Sequence, residues 1–404
     1  MTESVVNVLM VVEGDIATTQ LLEQILASGR REGIAYRKVM LVDLKVEDIQ
    51  QDTVPLFIRC GDPSLRLWIE RLCDARHPYL YYLDDNFWEI GGNSPIAEYY
   101  RHPSVRASLE LAVSQAERVL TNSDVLAAFL AQFNKSIDIL PASFDFSLIE
   151  IEKLAPQEEI RIGFAGSPSR VDDLDIIKPI MEPLLKKFPG LVFEFAGVLP
   201  AGVVESAQVR YFPHVGNYNE FIEFKQSRRW SIGLAPLRDT PANRCKTDNK
   251  YREYSACGIP AVYSNIPPYS GSVTPDVTGL LVPDTALAWC EAIERLLDDA
   301  DLRSVMAKAA YADVLQRHSV EVVASKWANL LKDTARLVER SDVQPLQEHK
   351  PQVWLRGVVL ELESILVRVR IVHADAGPWG VIKKAIVWVG RKVSMIFSVF
   401  PVRK

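Results

Sequence analysis

The feature that most constrains this chain is an alternation of short apolar runs with longer helical patterns, made twice. In the first half the runs are Val5–Val12, Tyr36–Val42, Val54–Arg59, Tyr79–Leu83, Arg118–Thr121 and Ile137–Leu140. Helical patterns such as Thr18–Gly29, Ser64–Ala75 and Ser104–Ala116 lie between them. Runs of this length that alternate with helices predict parallel strands joined by crossovers. A charged stretch, Ile149–Glu159, carries a proline and no strand pattern, and reads as a linker. The series then restarts with Ile160–Ala165, Leu191–Ala196, Val209–Phe212, Trp230–Ala235, Pro260–Ser264 and Gly279–Val282.

The expectation is an α/β protein of two facing, doubly wound, Rossmann-like domains, over 1–150 and 151–340. A basic helical extension follows over 341–404. In such sheets ligands bind beyond the carboxyl ends of the strands, so a cleft between two of them would hold a ligand between loops of both halves.

Composition narrows the function classes. Apolar residues make up 48% and charged residues 24%, an ordinary globular balance that excludes a disordered or polytopic membrane chain. The net charge of −6 is a poor match to nucleic acid. That average hides an asymmetry. Residues 351–404 hold nine Lys/Arg and three Asp/Glu, a charge of +6 that leaves −12 on the rest. The five cysteines form no CxxC pair and are odd in number, which fits a reducing cytoplasm without structural zinc. The N-terminal run lacks the basic flank of a signal peptide, and no stretch of about 18 apolar residues predicts a transmembrane helix.

The segment from Trp230 to Pro283 carries the most chemistry. A buried strand ends at Ala235, and a polar loop with Arg238, Asp239, Asn243, Arg244 and Lys246 follows. A helix then opens at Asn249 and stops at Gly258. Backbone N–H groups at its start, with Lys246 and Lys250, would suit a diphosphate. Glu253 lies one turn further, placed to accept hydrogen bonds from sugar hydroxyls. The same residues also read as solvated first-turn side chains with Glu253 favoured by the helix dipole, and spacing alone does not decide.

The pattern Lys250-Tyr251-x-Glu253-Tyr254-x-Ala256-x-Gly258-Ile259-Pro260-Ala261-Val262, with Thr278-Gly279-Leu280-Leu281-Val282 after it, resembles the C-terminal domain of GT-B glycosyltransferases of the "group 1" family. The likeness covers about 160–335. It implies transfer of a sugar from a nucleotide-sugar co-substrate to a glycan or lipid-linked acceptor, with retained configuration and without a metal or other cofactor. It further implies a role in cell-surface polysaccharide or lipopolysaccharide synthesis. Glu253 matches the second acid of the family's E-x7-E motif, which holds the ribose. The first acid would fall at position 245, where this chain has Cys245. That departure bears on catalysis more than on nucleotide binding.

By the same resemblance the turn Gly166-Ser167-Pro168-Ser169-Arg170 faces the donor diphosphate, with Arg170 as its basic residue and Arg244 as a second. His214 follows a strand in the half that would frame the base. In the first half, Asp84-Asp85-Asn86-Phe87-Trp88 resembles a "DDxxW" element of some bacterial members. Asp84 or Asp85 is then an acceptor-orienting or basic group. A capping pair with packed aromatics is the plainer reading. His102 is a catalytic candidate in the same half, although a surface histidine before a proline is commoner.

The tail carries helical patterns at Trp354–Val369 and Trp379–Val399, broken by Lys383, Lys384, Arg391 and Lys392. A basic amphipathic helix with Trp and Phe predicts an interfacial contact with the inner face of the membrane. A helical hairpin for oligomerisation or for packing on the first domain is the competing expectation for the tail, and a homo-oligomer or a complex with other glycosyltransferases is an expected partner of the whole chain. For the whole chain, the alternatives are a non-catalytic nucleotide-sugar-binding scaffold and a GT-B nucleotide-sugar epimerase.

Overall fold

A computed structural model of the chain describes residues 5–92, 94–150, 159–346 and 355–371. The first half contains β1 (Val6–Val12), α1 (Ala17–Ser28), β2 (Ile34–Met40), β3 (Thr53–Ile58), α2 (Leu65–Asp74) and β4 (Leu80–Tyr82). It continues with α3 (Pro95–Arg101), α4 (Pro103–Gln115), β5 (Arg118–Thr121), α5 (Asp124–Leu130) and β6 (Ile137–Ile139). The second half opens with β7 (Ile160–Ala165), α6 (Lys178–Lys187), β8 (Leu191–Ala196), β9 (Val209–Phe212), α7 (Tyr218–Arg228) and β10 (Ile232–Ala235). Then come α8 (Pro241–Arg244), α9 (Asn249–Ala256), β11 (Ala261–Ser264), α10 (Tyr269–Ser272), β12 (Leu280–Val282), α11 (Ala286–Asp298), α12 (Ala300–His318) and α13 (Val320–Arg340).

Each half is one six-stranded sheet. The orders are β2-β1-β3-β4-β5-β6 and β12-β11-β10-β7-β8-β9, and every pairing is parallel. All twelve expected strands are present, with ends moved by two residues at most. The reason is burial on both faces. β3 and β8 are buried at all six positions, so each reads as a continuous apolar run. Sequence order reverses between β1 and β3 in one sheet and between β7 and β10 in the other. Those two crevices are where such sheets bind ligands.

The helix α13 crosses back to the first half. Its Val323, Trp327 and Leu331 pack into one core with Val8, Leu26 and Leu56. The expected second unit, 151–340, therefore gives its last helix to the first sheet. The expected linker Ile149–Glu159 lies mostly outside the described residues.

The expected tail, 341–404, is described in part, as a helix over 355–371. It packs on the first half instead of standing apart. Leu360, Ser364 and Val367 are buried. Arg356 bonds Glu70 at 2.7 Å, Arg66 pairs with Glu363, and Ser364 and Arg368 bond Asp62 at 2.8 and 2.7 Å. The pattern expected at Trp379–Val399 lies outside the described residues. Among the described residues no helix is long and apolar enough to cross a membrane.

Candidate functional site

The second-half crevice is built by backbone first. At the end of β7, Gly166 donates its N–H to Ala196 at 3.0 Å. Gly197, at φ +84°, ends β8 against it. A Cβ at 197 would fall 2.2 Å from the Gly166 carbonyl oxygen, so a side chain there would force the two loops apart. His214 stands beside this contact, near Gly197. Arg170 reaches from the same loop, pairing with Asp173 at 3.0 Å and donating to Asn243 at 3.3 Å. Asp173 is pinned in turn by the Arg238 N–H at 2.9 Å.

The helix α9 supplies the other wall. Lys250, half-buried, lies over the Phe164 ring at 4.9 Å and has no acidic partner among the described residues. Burial, and then Arg170, pull its amine down to about 7. Glu253 is buried one turn later. Its Oε2 takes a charge-assisted bond from buried Lys225 of α7, while its Oε1 has no partner among the described residues. Lys225 also lies 4.3 Å from the Phe221 ring centroid. The geometry therefore gathers Arg170, Lys250 and Lys225, two of them matched by acids and one unmatched.

Next to them, Arg252 is almost wholly buried. It bonds Asp248 at 2.8 Å and the Ser143 carbonyl at 2.6 Å. Burial works against the Asp248 carboxylate, but Arg252, His318 and Ser272 outweigh it and hold its pKa at about 2. This network fixes α9 to the chain leaving the first half, so Glu253 is aimed by a buried charge pair.

A cavity between the halves brings Glu253, Asn249 and Tyr218 together with Thr18, Leu21 and Asp84. Asp84 is buried at the end of β4, bonded by Thr18 at 2.6 Å and paired with Arg59 at 3.1 Å. Burial raises its pKa; Arg59 opposes the rise and Asp85 adds to it. Asp85 pairs with Arg59 at 3.5 Å and, across the cleft, with Lys246 at 3.5 Å. Phe87 and Trp88 pack into the first-half core. Cys245 is buried against the same core, and Asn86 Nδ2 lies 3.6 Å from its Sγ.

Two candidates are not gathered here. Arg244 is exposed and spent on Asp239, at 2.5 and 2.6 Å, within its own loop. His102 caps α4 and shares a surface hollow with Glu98, Arg101, Arg370 and Ile371. Burial, and then Arg370, lower its pKa. Neither residue lines the cavity at Glu253.

Three residues escaped the sequence reading. Lys225 follows Phe224 and lies one turn after Phe221 on α7, and a lysine beside these aromatics was its only signal. Arg59 takes φ +54° at the end of β3, which nothing local announces. Glu13 closes the first-half crevice, accepting from the Gly61 and Asp62 N–H groups at 2.6 Å each and from Tyr99 at 2.8 Å. Burial, and then Asp62, raise Glu13 to about 6.

Two facing Rossmann-like halves with a cleft between them make the GT-B fold. Residues 175–329 match the family described as glycosyl transferase-like. No curated protein sequence matches the chain. The whole fold is similar to sucrose-phosphate synthase from Thermosynechococcus elongatus, at TM-score 0.58 and 14% identity over 83% of this chain and 100% of that one. It is similar to Anabaena HepE solved in complex with UDP, at TM-score 0.59 and 15% identity over 81% of this chain and 100% of that one. Trehalose-6-phosphate synthase OtsA gives 0.56 and 11% over 80% and 98%.

Proposed function

We propose that the protein transfers a sugar from a nucleotide-sugar donor to a glycan or lipid-linked acceptor, with retention and without a metal. The reading extends to assembly of a cell-surface polysaccharide or lipopolysaccharide, with residues 351–404 holding the enzyme at the inner face of the membrane. The observation that carries it is the pairing of an acid with an open oxygen, Glu253, and an amine with no acid partner among the described residues, Lys250, at one helix beside Arg170.

A diphosphate placed there supplies the anion that Lys250 lacks. Glu253 Oε1 accepts from a ribose hydroxyl while Lys225 holds the other carboxylate oxygen, Oε2. As the sugar–phosphate bond breaks, negative charge grows on the leaving diphosphate, and Arg170 and Lys250 stabilise it from fixed positions. The departing phosphate receives the acceptor proton, so no strong protein base is required. Asp84, held by Arg59 and Thr18, positions the acceptor hydroxyl. Lys246, through Asp85, ties the halves together around the reacting bond. The structures of HepE in complex with UDP and with UDP-glucose make these the first ligands to test.

A second reading, a nucleotide-sugar-binding scaffold without turnover, is favoured by Cys245. Where the family's first acid stands, this chain has a buried thiol in a contact between the halves. Calorimetry with nucleotides, followed by donor hydrolysis and transfer assays, separates the two. Binding with turnover supports the transferase, and binding without either activity supports the scaffold.

A further inference from the structure

The helix over 355–371 has two apolar sides. Leu360 and Val367 face the first half, beside Ser364 and Arg368 bound to Asp62. On the opposite side Leu355, Val359, Leu362 and Leu366 form a row at spacings of four, three and four residues, each 48 to 68% exposed. The polar anchors on the docked side prevent the helix from rolling this row inward. Four large apolar side chains in one line facing solvent mark an interaction surface, unlike apolar residues scattered singly.

We propose that this row lies on an anionic lipid bilayer and sets the first half's cleft edge against the membrane surface. This rests on the membrane reading of residues 351–404 and gives it a face and an orientation. Charge favours lipid over other occupants. Arg370 is exposed just beyond Leu366, and the 33 residues after Ile371 carry six Lys/Arg and one Asp. A segment of this charge is attracted to anionic headgroups. A second copy is a poorer occupant. From Leu355 to Leu366 the row spans twelve residues of helix, a seam of only ~17 Å, short for a stable coiled coil.

The helix direction gives the orientation. It begins at Glu70 and Leu67 on α2 and ends near Asp62 and His102. Asp62 follows β3 at the carboxyl edge of the first sheet, and its N–H is held by Glu13 in that crevice. The row thus leads to the cleft edge that an acceptor must reach. A lipid-linked acceptor would then enter along the surface on which the helix lies.

The test is co-sedimentation of the full chain with phosphatidylcholine vesicles, with and without phosphatidylglycerol. The pair Leu362→Glu and Leu366→Glu is compared with Val305→Glu, a residue 65% exposed on α12 of the second half. The expected result is binding that needs phosphatidylglycerol, falls roughly tenfold or more in the double variant, and survives Val305→Glu. Nucleotide binding should be unchanged in both, which shows that they fold. If the double variant misfolds, Leu355→Gln with Val359→Gln replaces it. Wild-type-like sedimentation of the double variant would overturn the proposal and leave the membrane reading to residues 372–404. Failure of the unaltered protein to bind either vesicle would overturn both. A dimer that the double variant dissociates, with vesicle binding intact, would assign the row to a second copy.

Discussion

Lys225 of α7 and Glu253 of α9 form a buried ion pair that leaves one carboxylate oxygen open to the cavity between the halves. The pair joins two helices that meet only in the folded second half. It serves stability and the candidate site at once, so its removal has two separable effects. Glu253→Gln strands the Lys225 charge and should cost ~3–5 kcal/mol in denaturant unfolding. It should also weaken nucleotide binding by more than tenfold. Lys225→Met added to it should return most of the stability and none of the binding. Recovery of both would make Glu253 a purely structural residue.

Lys250 ties binding to protons. Its folded pKa of about 7 lies below the ordinary 10.5, so the folded state binds fewer protons between those values. Its contribution to stability therefore rises as pH rises from about 7 towards 10.5. Lys250→Met should flatten that part of the pH–stability curve and leave the neutral protein no less stable. A diphosphate on Lys250 raises its pKa again. Binding at pH 8 should then take up a proton, seen as a calorimetric enthalpy that changes with buffer. A buffer-independent enthalpy would place the diphosphate elsewhere.

Cys245 tests the missing acid. Restoring the family residue with Cys245→Glu places a carboxylate in a buried contact beside Asn86 and Asp85. It should lower thermal stability, by ~3 kcal/mol, and lower activity. Cys245→Ala should cost less than half as much. A gain of activity in Cys245→Glu would show that this position faces the donor sugar.

Asp248 and Arg252 brace α9. The folded Asp248 pKa of about 2 lies below the ordinary 3.8, so its stabilisation is present above about pH 4 and is lost as pH falls towards 2. Asp248→Asn should remove that acid dependence and destabilise by ~3 kcal/mol, because Arg252 stays buried. Acid unfolding of the two proteins, followed by circular dichroism, checks the sign.

The strands were legible because burial on both faces writes each as an apolar run between polar turns. The Glu253 helix was legible because its start, its glycine end and the next strand are contiguous in sequence. Lys225 and Arg59 were not, since each meets its acid only through tertiary packing. The acids at 84 and 85 were visible, but their shared arginine lies 25 residues earlier, at the end of another strand. The tail shows the limit of periodicity. Within the pattern Trp354–Val369, Leu355, Leu362 and Leu366 are left exposed, while Ser364 and Arg368 turn inward to a buried Asp62. A pattern of apolar residues does not say which side a protein will cover when a charged group lies on the other.

The most direct measurement is calorimetric titration of UDP, GDP, dTDP and CDP into the full chain without added metal, repeated on Lys250→Met and Glu253→Gln. Selective binding of one nucleotide, lost in both variants, is the predicted result. Failure of every nucleotide to bind, or binding that both variants retain, would contradict a donor site at Arg170, Lys250 and Glu253.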